Sequence, residues 1–149
     1  MRLLLDIGVL ARACHPSRYR DVQAWLLAIA SGRPPAHELL VSPISFYELR
    51  RALARRGARE SLEMLTRLSQ HMIAAPVTLE AVEQAAALAE REPGLQAADA
   101  DLLLVAQAKL GGAVWVRADA KMGELGAMCG VEVREWATIA VDIATPSEM

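Results

Sequence analysis

A chain of 149 residues with 54% hydrophobic content is the size of one domain and apolar enough for one continuous core. Its formal net charge of −2 excludes a protein that coats nucleic acid non-specifically, because neutralising phosphates needs an excess of Lys and Arg. No run approaches the ~20 apolar residues that cross a bilayer, and Asp6 interrupts the leader-like opening MRLLLDIGVL, so a soluble single domain over residues 1–149 is expected.

The net charge hides an asymmetry. Residues 1–75 hold 11 arginines against 6 acidic residues, a charge of +5, and the remainder holds 5 basic and 12 acidic residues, a charge of −7. A basic rim can therefore stand beside an acidic pocket. Cys14 and Cys129 form no C-x-x-C pair and have no zinc-ligand spacing, which fits a reduced, cytoplasmic compartment.

Taken in chain order, Arg2 to Ile7 reads as a short, almost continuously apolar strand with Asp6 at its carboxyl end, the pattern of a strand buried on both faces. A helix over about Val22 to Ala30 follows, stopped by Gly32-Arg33-Pro34-Pro35. Leu39 to Val41 is a second buried strand. Ser42-Pro43 starts the next helix as N-cap and first helical residue, placing Glu48 about one and a half turns in. Its apolar stripe is Leu49, Ala52 and Leu53, with Arg50, Arg51, Arg55 and Arg56 pointing elsewhere.

A helix from Glu60 to Met72 buries Leu62, Leu65 and Leu68. Thr78 caps another over Leu79 to Glu92, ended by Pro93-Gly94. Asp99 to Leu110 is an Ala- and Leu-rich helix ending at Gly111-Gly112. Strands at Ala113 to Arg117 and Val131 to Val133 complete the series. Short apolar strands alternating with helices indicate a doubly wound, mostly parallel sheet.

Ligand sites in such sheets form outside the carboxyl ends of the strands. Asp6 and Asp119 occupy such ends, while Glu48 and Asp101 lie in early turns of helices. Crowded carboxylates repel unless a cation sits among them, and hard oxygen donors suit Mg²⁺ or Mn²⁺. Such ions keep waters and bind phosphate, which points to phosphoryl transfer with water as nucleophile. Each acid also has a plainer reading: Ser45 and Glu48 as a capping box, Asp99 and Asp101 as complements to a helix dipole, Asp119 as a turn residue. Asp6 is the exception, since an Asp inside LLLDIGVL is costly to bury without a partner.

Four segments, in order, resemble the motifs of the PIN-domain family: LLLDIGVL, SPISFYELRRAL, DADLLLVAQAKLGGA and VWVRADAKM. The resemblance runs from Leu3 to about Val133 and implies a three-layer α/β/α fold. It matches Asp6, Glu48, Asp101 and Asp119 to the family's acids, catalytic and metal-binding, with Asp99 as a possible auxiliary. It also implies a Mg²⁺- or Mn²⁺-dependent endoribonuclease similar to the VapC-type toxins of type II toxin–antitoxin pairs, held by a cognate antitoxin and often dimeric.

Arg50, Arg51, Arg55, Arg56 and Arg117 are candidates for RNA contacts. The chain departs from the family pattern where Ile7 and Gly8 replace a small hydroxyl or amide residue, and where Arg117 stands in place of Thr or Ser. Those departures motivate the alternative of a catalytically impaired PIN-like module that binds RNA or protein. A third alternative, a receiver-like phosphate-binding domain, has only Lys109 and Lys121 to draw on. His15, His37 and His71 have no metal-cluster spacing, and Trp25, Trp115 and Trp136 fit core packing better than base stacking.

Overall fold

The computed structural model describes residues 1–141. Its frame is a five-stranded sheet of β1 (Arg2–Leu5), β2 (Glu38–Val41), β3 (Ile73–Ala74), β4 (Val114–Arg117) and β5 (Val133–Glu135), in the order β3-β2-β1-β4-β5. Every neighbouring pair is parallel. The central strand, β1, is paired on both edges, and its Leu3, Leu4 and Leu5 are fully buried. This is why its sequence is continuously apolar rather than alternating.

The period of two along each strand divides the core into two layers. Leu3, Leu5, Leu39, Val41, Val114 and Val116 face α1 (Ile7–Ala13), α2 (Arg20–Ser31), α3 (Pro43–Arg55) and α4 (Arg59–Ser69). Leu4, Leu40 and Trp115 face α5 (Leu79–Arg91), α6 (Asp99–Gly111) and α7 (Gly123–Cys129). The architecture is therefore α/β/α, with helices on both faces of a parallel sheet. Among the described residues no helix is long and apolar enough to cross a membrane. Both cysteines are free, and burial pushes the Cys14 thiol up to about 12.

Two predicted helix starts rest on local chemistry that the structure reproduces. Ser42 accepts a hydrogen bond from the Ile44 N–H, with Pro43 opening α3, and Thr78 Oγ1 accepts one from the Ala81 N–H to open α5. Ser45 is buried inside α3, so the Ser45–Glu48 capping box does not form.

Four segments differ from the sequence reading. The first strand ends at Leu5 rather than Ile7, because the Asp6 carbonyl accepts the N–H groups of Val9 and Leu10 and opens α1. The helix expected to reach Met72 stops at Ser69, just beyond Leu68, its last buried residue, leaving Ile73 and Ala74 to pair with the free edge of β2. The last strand is Val133–Glu135 rather than Val131–Val133. The Val131 N–H instead closes α7 on the Gly126 carbonyl at 2.8 Å, past Gly130 in the left-handed region at φ +71°, so ladder pairing begins later. α7 itself had no counterpart in the sequence reading.

Gly126 is where α7 meets β5. A Cβ there would lie 2.6 Å from the Val131 carbonyl oxygen and would also strike Val133 Cγ2. The backbone contact cannot be relieved by a rotamer change. Gly126→Ala is expected to destabilise the fold by about 1–3 kcal/mol, read as a lowered urea midpoint with an unchanged m-value.

Candidate active site

The strand order places the topological switch point between β1 and β4, where crossovers leave toward opposite edges of the sheet. The last ladder bond there runs from the Asp6 N–H to the Val116 carbonyl at 2.9 Å. Asp6 follows β1 directly and caps α1, accepting the Gly8 N–H at 3.3 Å. Arg117 is the last residue of β4, and Asp119 follows it by two positions. Asp101 lies in the first turn of α6, where its Oδ2 accepts the Ala98 N–H at 3.2 Å.

These four side chains meet. Arg117 Nη1 lies 3.5 Å from Asp6 Oδ1 and 3.6 Å from Asp101 Oδ1, and Arg117 Nε lies 3.7 Å from Asp119 Oδ1. The cluster is graded in depth: side-chain exposure rises from 9% at Asp6 to 20% at Asp101 and 48% at Asp119. The guanidinium carbon stands 4.9 Å from the centre of the Trp115 ring, a cation–π distance. Yet Arg117 Nε and Nη1, both buried, complete no hydrogen bond. One guanidinium faces three carboxylates here, and its buried donors are left unmet.

The carboxylates are electrostatically unequal. Burial raises the pKa of Asp6 above the ordinary carboxylate value. Arg117 and the Gly8 N–H pull it down, the Asp101 charge raises it, and the Trp115 indole pulls downward without closing a hydrogen bond. Asp119 is lowered, first by the Lys121 N–H that its Oδ1 accepts at 3.0 Å, with the Arg117 and Lys121 charges adding. Asp101 and Asp119 thus fill the plainer helix-start and turn roles while also facing Arg117.

Glu48 and Asp99 are exposed, and among the described residues neither makes an ion pair. Asp99 and Asp101 separate as their two-residue offset along a helix requires. Arg50, Arg51 and Arg55 are exposed on α3 and Arg56 is exposed at its C-cap, with Arg51 donating to the Tyr47 hydroxyl at 3.1 Å. Two residues take parts that the sequence did not reveal. Gly8 supplies an N–H to Asp6, and a Cβ there would sit 3.4 Å from Asp6 Oδ2. Trp115 forms the wall beneath Arg117, and its position two residues before Arg117 on the same strand face was the available signal.

A parallel α/β sheet with carboxylates at its switch point carries them where ligands of such folds bind. The chain belongs to the PIN domain family, whose model matches residues 3–127. No curated protein sequence matches it. Among solved structures it is similar to VapBC2 from Rickettsia felis bound to a promoter DNA fragment, with TM-score 0.74 and 15% identity over 91% of this chain and 99% of that one. It is also similar to VapBC-1 from nontypeable Haemophilus influenzae, with TM-score 0.67 and 15% identity over 92% of this chain and 99% of that one. A third is VapC20 from Mycobacterium tuberculosis, described as a Sarcin-Ricin loop cleaving toxin, with TM-score 0.64 and 21% identity over 83% of this chain and 95% of that one.

PIN domains are typically metal-dependent nucleases. Among the described residues no three acidic, His or Cys side chains are grouped closely enough to enclose an ion. The donor chemistry nevertheless fits a hard divalent cation, since Asp6, Asp101 and Asp119 already converge on one positive charge with carboxylate oxygens. A metal at this position would take the place of the guanidinium.

Proposed function

We propose that the chain is a Mg²⁺- or Mn²⁺-dependent endoribonuclease, the toxin of a type II toxin–antitoxin pair. Its single domain works in the cytoplasm as a homodimer held by a cognate antitoxin. The observation that carries this reading is the convergence of Asp6, Asp101 and Asp119 on one cation at the switch point of a PIN domain. The toxin described for the Mycobacterium tuberculosis relative supports RNA as substrate, and the VapBC complexes support an antitoxin partner.

In this reading Asp6, Asp101 and Asp119 hold the ion, and Glu48, exposed on α3, is the fourth acid of the family pattern. The ion, when bound, would lower the pKa of a water and neutralise charge developing on the phosphate oxygens. The protein's own part is positional. Asp6 is fixed between β1 and α1 by its cap to Gly8, and Asp101 by its bond to the Ala98 N–H, so neither carboxylate must reorganise during the reaction. Arg50, Arg51, Arg55 and Arg56 offer backbone phosphates a basic approach on α3.

The test is incubation of the purified chain with a structured RNA and a DNA of the same sequence, with Mg²⁺ or Mn²⁺ and with chelator. Discrete RNA fragments that need the ion are expected, with the DNA left intact. Absence of cleavage under every condition refutes the reading. Arg117 favours one other reading, a PIN-like module that binds RNA or protein without cutting it; retention of RNA in a mobility-shift assay with no cleavage in either ion would select it.

A further inference from the structure

We infer that Arg117 is an internal counter-cation that competes with a divalent metal for Asp6, Asp101 and Asp119, so that loading the site requires the guanidinium to withdraw. The inference rests on the reading of these carboxylates as a cation site and adds an element of this chain that controls access to it.

The geometry separates this arrangement from a structural salt bridge. A guanidinium that serves stability forms short, paired hydrogen bonds of about 2.7–2.9 Å to a carboxylate. Arg117 instead lies 3.5, 3.6 and 3.7 Å from three different carboxylates, beyond hydrogen-bond reach of each in good geometry. Its Nε and Nη1 are buried without a hydrogen-bond partner, which is costly for charged donors. What the side chain supplies is positive charge shared among three acids, Nη1 toward Asp6 and Asp101 and Nε toward Asp119, the role an ion would take.

Withdrawal has a path. Asp6 and Asp101 form the deep side of the cluster, whereas Asp119 is about half exposed, so the guanidinium can leave over Asp119 toward solvent. The Trp115 ring lies along the side chain and marks its position, so departure changes the surroundings of one indole. If the seated guanidinium outnumbers the withdrawn state by about ten to one, the apparent metal affinity falls by about tenfold.

The experiment is calorimetric titration of Mn²⁺ into the wild type and Arg117→Gln, with Mg²⁺ titration of the wild type followed by NMR. Arg117→Gln is expected to bind Mn²⁺ about tenfold or more tightly than the wild type, and its thermal midpoint to rise further on adding metal. In the wild type, the Trp115 indole and Arg117 Nε–H resonances are expected to shift together as Mg²⁺ saturates. Equal or weaker Mn²⁺ binding by Arg117→Gln overturns the inference. So does Mg²⁺ binding that leaves both resonances in place, a readout that stands even where the variant folds poorly.

Failure of the nuclease reading gives a different pattern. Tighter metal binding by Arg117→Gln with no cleavage by either protein keeps the inference and removes the nuclease. Metal-dependent cleavage with unchanged affinity removes the inference alone. Absence of metal binding in both proteins at millimolar concentration overturns both.

Discussion

Asp6→Asn is expected to cut RNA at least about 100-fold more slowly than the wild type while its metal-free thermal midpoint stays level or rises. The two halves of this result have separate causes. Asparagine keeps the shape of the side chain and is as good an N-cap as aspartate, so the bond from the Gly8 N–H and the start of α1 survive. The stability half follows from the raised pKa of Asp6, whose direction already includes the pull of Arg117.

For an acid raised on folding, the folded state binds the proton more strongly than the unfolded chain. The group's contribution is therefore most favourable below the ordinary value of 3.8 and falls as pH rises through the folded value. At neutral pH the charged carboxylate is a burden on the fold, and a neutral isostere removes it. A residue whose loss of charge spares stability and abolishes turnover is held for its chemistry. Scanning calorimetry beside a cleavage time course reads both halves; a large drop in midpoint with no loss of cleavage would assign Asp6 a structural role.

Trp115→Ala is expected to cost about 3–5 kcal/mol, the largest stability loss among the substitutions considered, measured by denaturant unfolding. The ring is fully buried on the α5–α6–α7 side of the sheet, in β4 between β1 and β5. Against a total stability of about 5–15 kcal/mol, a loss of this size leaves a marginal fold. Trp115→Phe should cost much less, about 1 kcal/mol, because an aromatic ring is kept and a buried indole N–H that completes no hydrogen bond is removed. An Ala variant as stable as the Phe variant would mean that the ring contributes little to the core. The pair matters for the site as well, since Trp115 carries both the packing beneath Arg117 and a pull on Asp6.

What could be read from the sequence was what local chemistry decides. Ser42-Pro43 and Thr78 start helices through their own side chains and φ preferences, and β1 is apolar because helices cover both faces of the sheet. The segments read differently depend on partners distant in the chain. Asp6 turns a strand into a helix by capping it, although the apolar residues resume at Ile7 with no sign of the change. Ile73 and Ala74 are a strand only because the edge of β2 is open to them. α7, with Gly123 and Gly126 in a short segment, has weak intrinsic preference and exists through close packing on Val131 and Val133.

The site followed the same division. The strand-end rule located Asp6 and Asp119, and helix position separated Asp101 from Asp99. The convergence of three acids on Arg117, with Glu48 left apart, is a product of how β1, β4 and α6 come together.

Whether the cluster at the switch point cuts RNA with a metal ion can be decided by one comparison. Single-turnover cleavage of a structured RNA is measured for the wild type and Asp101→Asn, each with Mn²⁺, then chelator, then Mn²⁺ restored, with circular dichroism confirming an intact fold. Wild-type cleavage is expected to stop with chelator and return with the ion, and the Asp101→Asn rate to be lower by about 100-fold or more. Equal cleavage by the two proteins, or wild-type cleavage indifferent to chelator, would contradict a metal-dependent cutting site there.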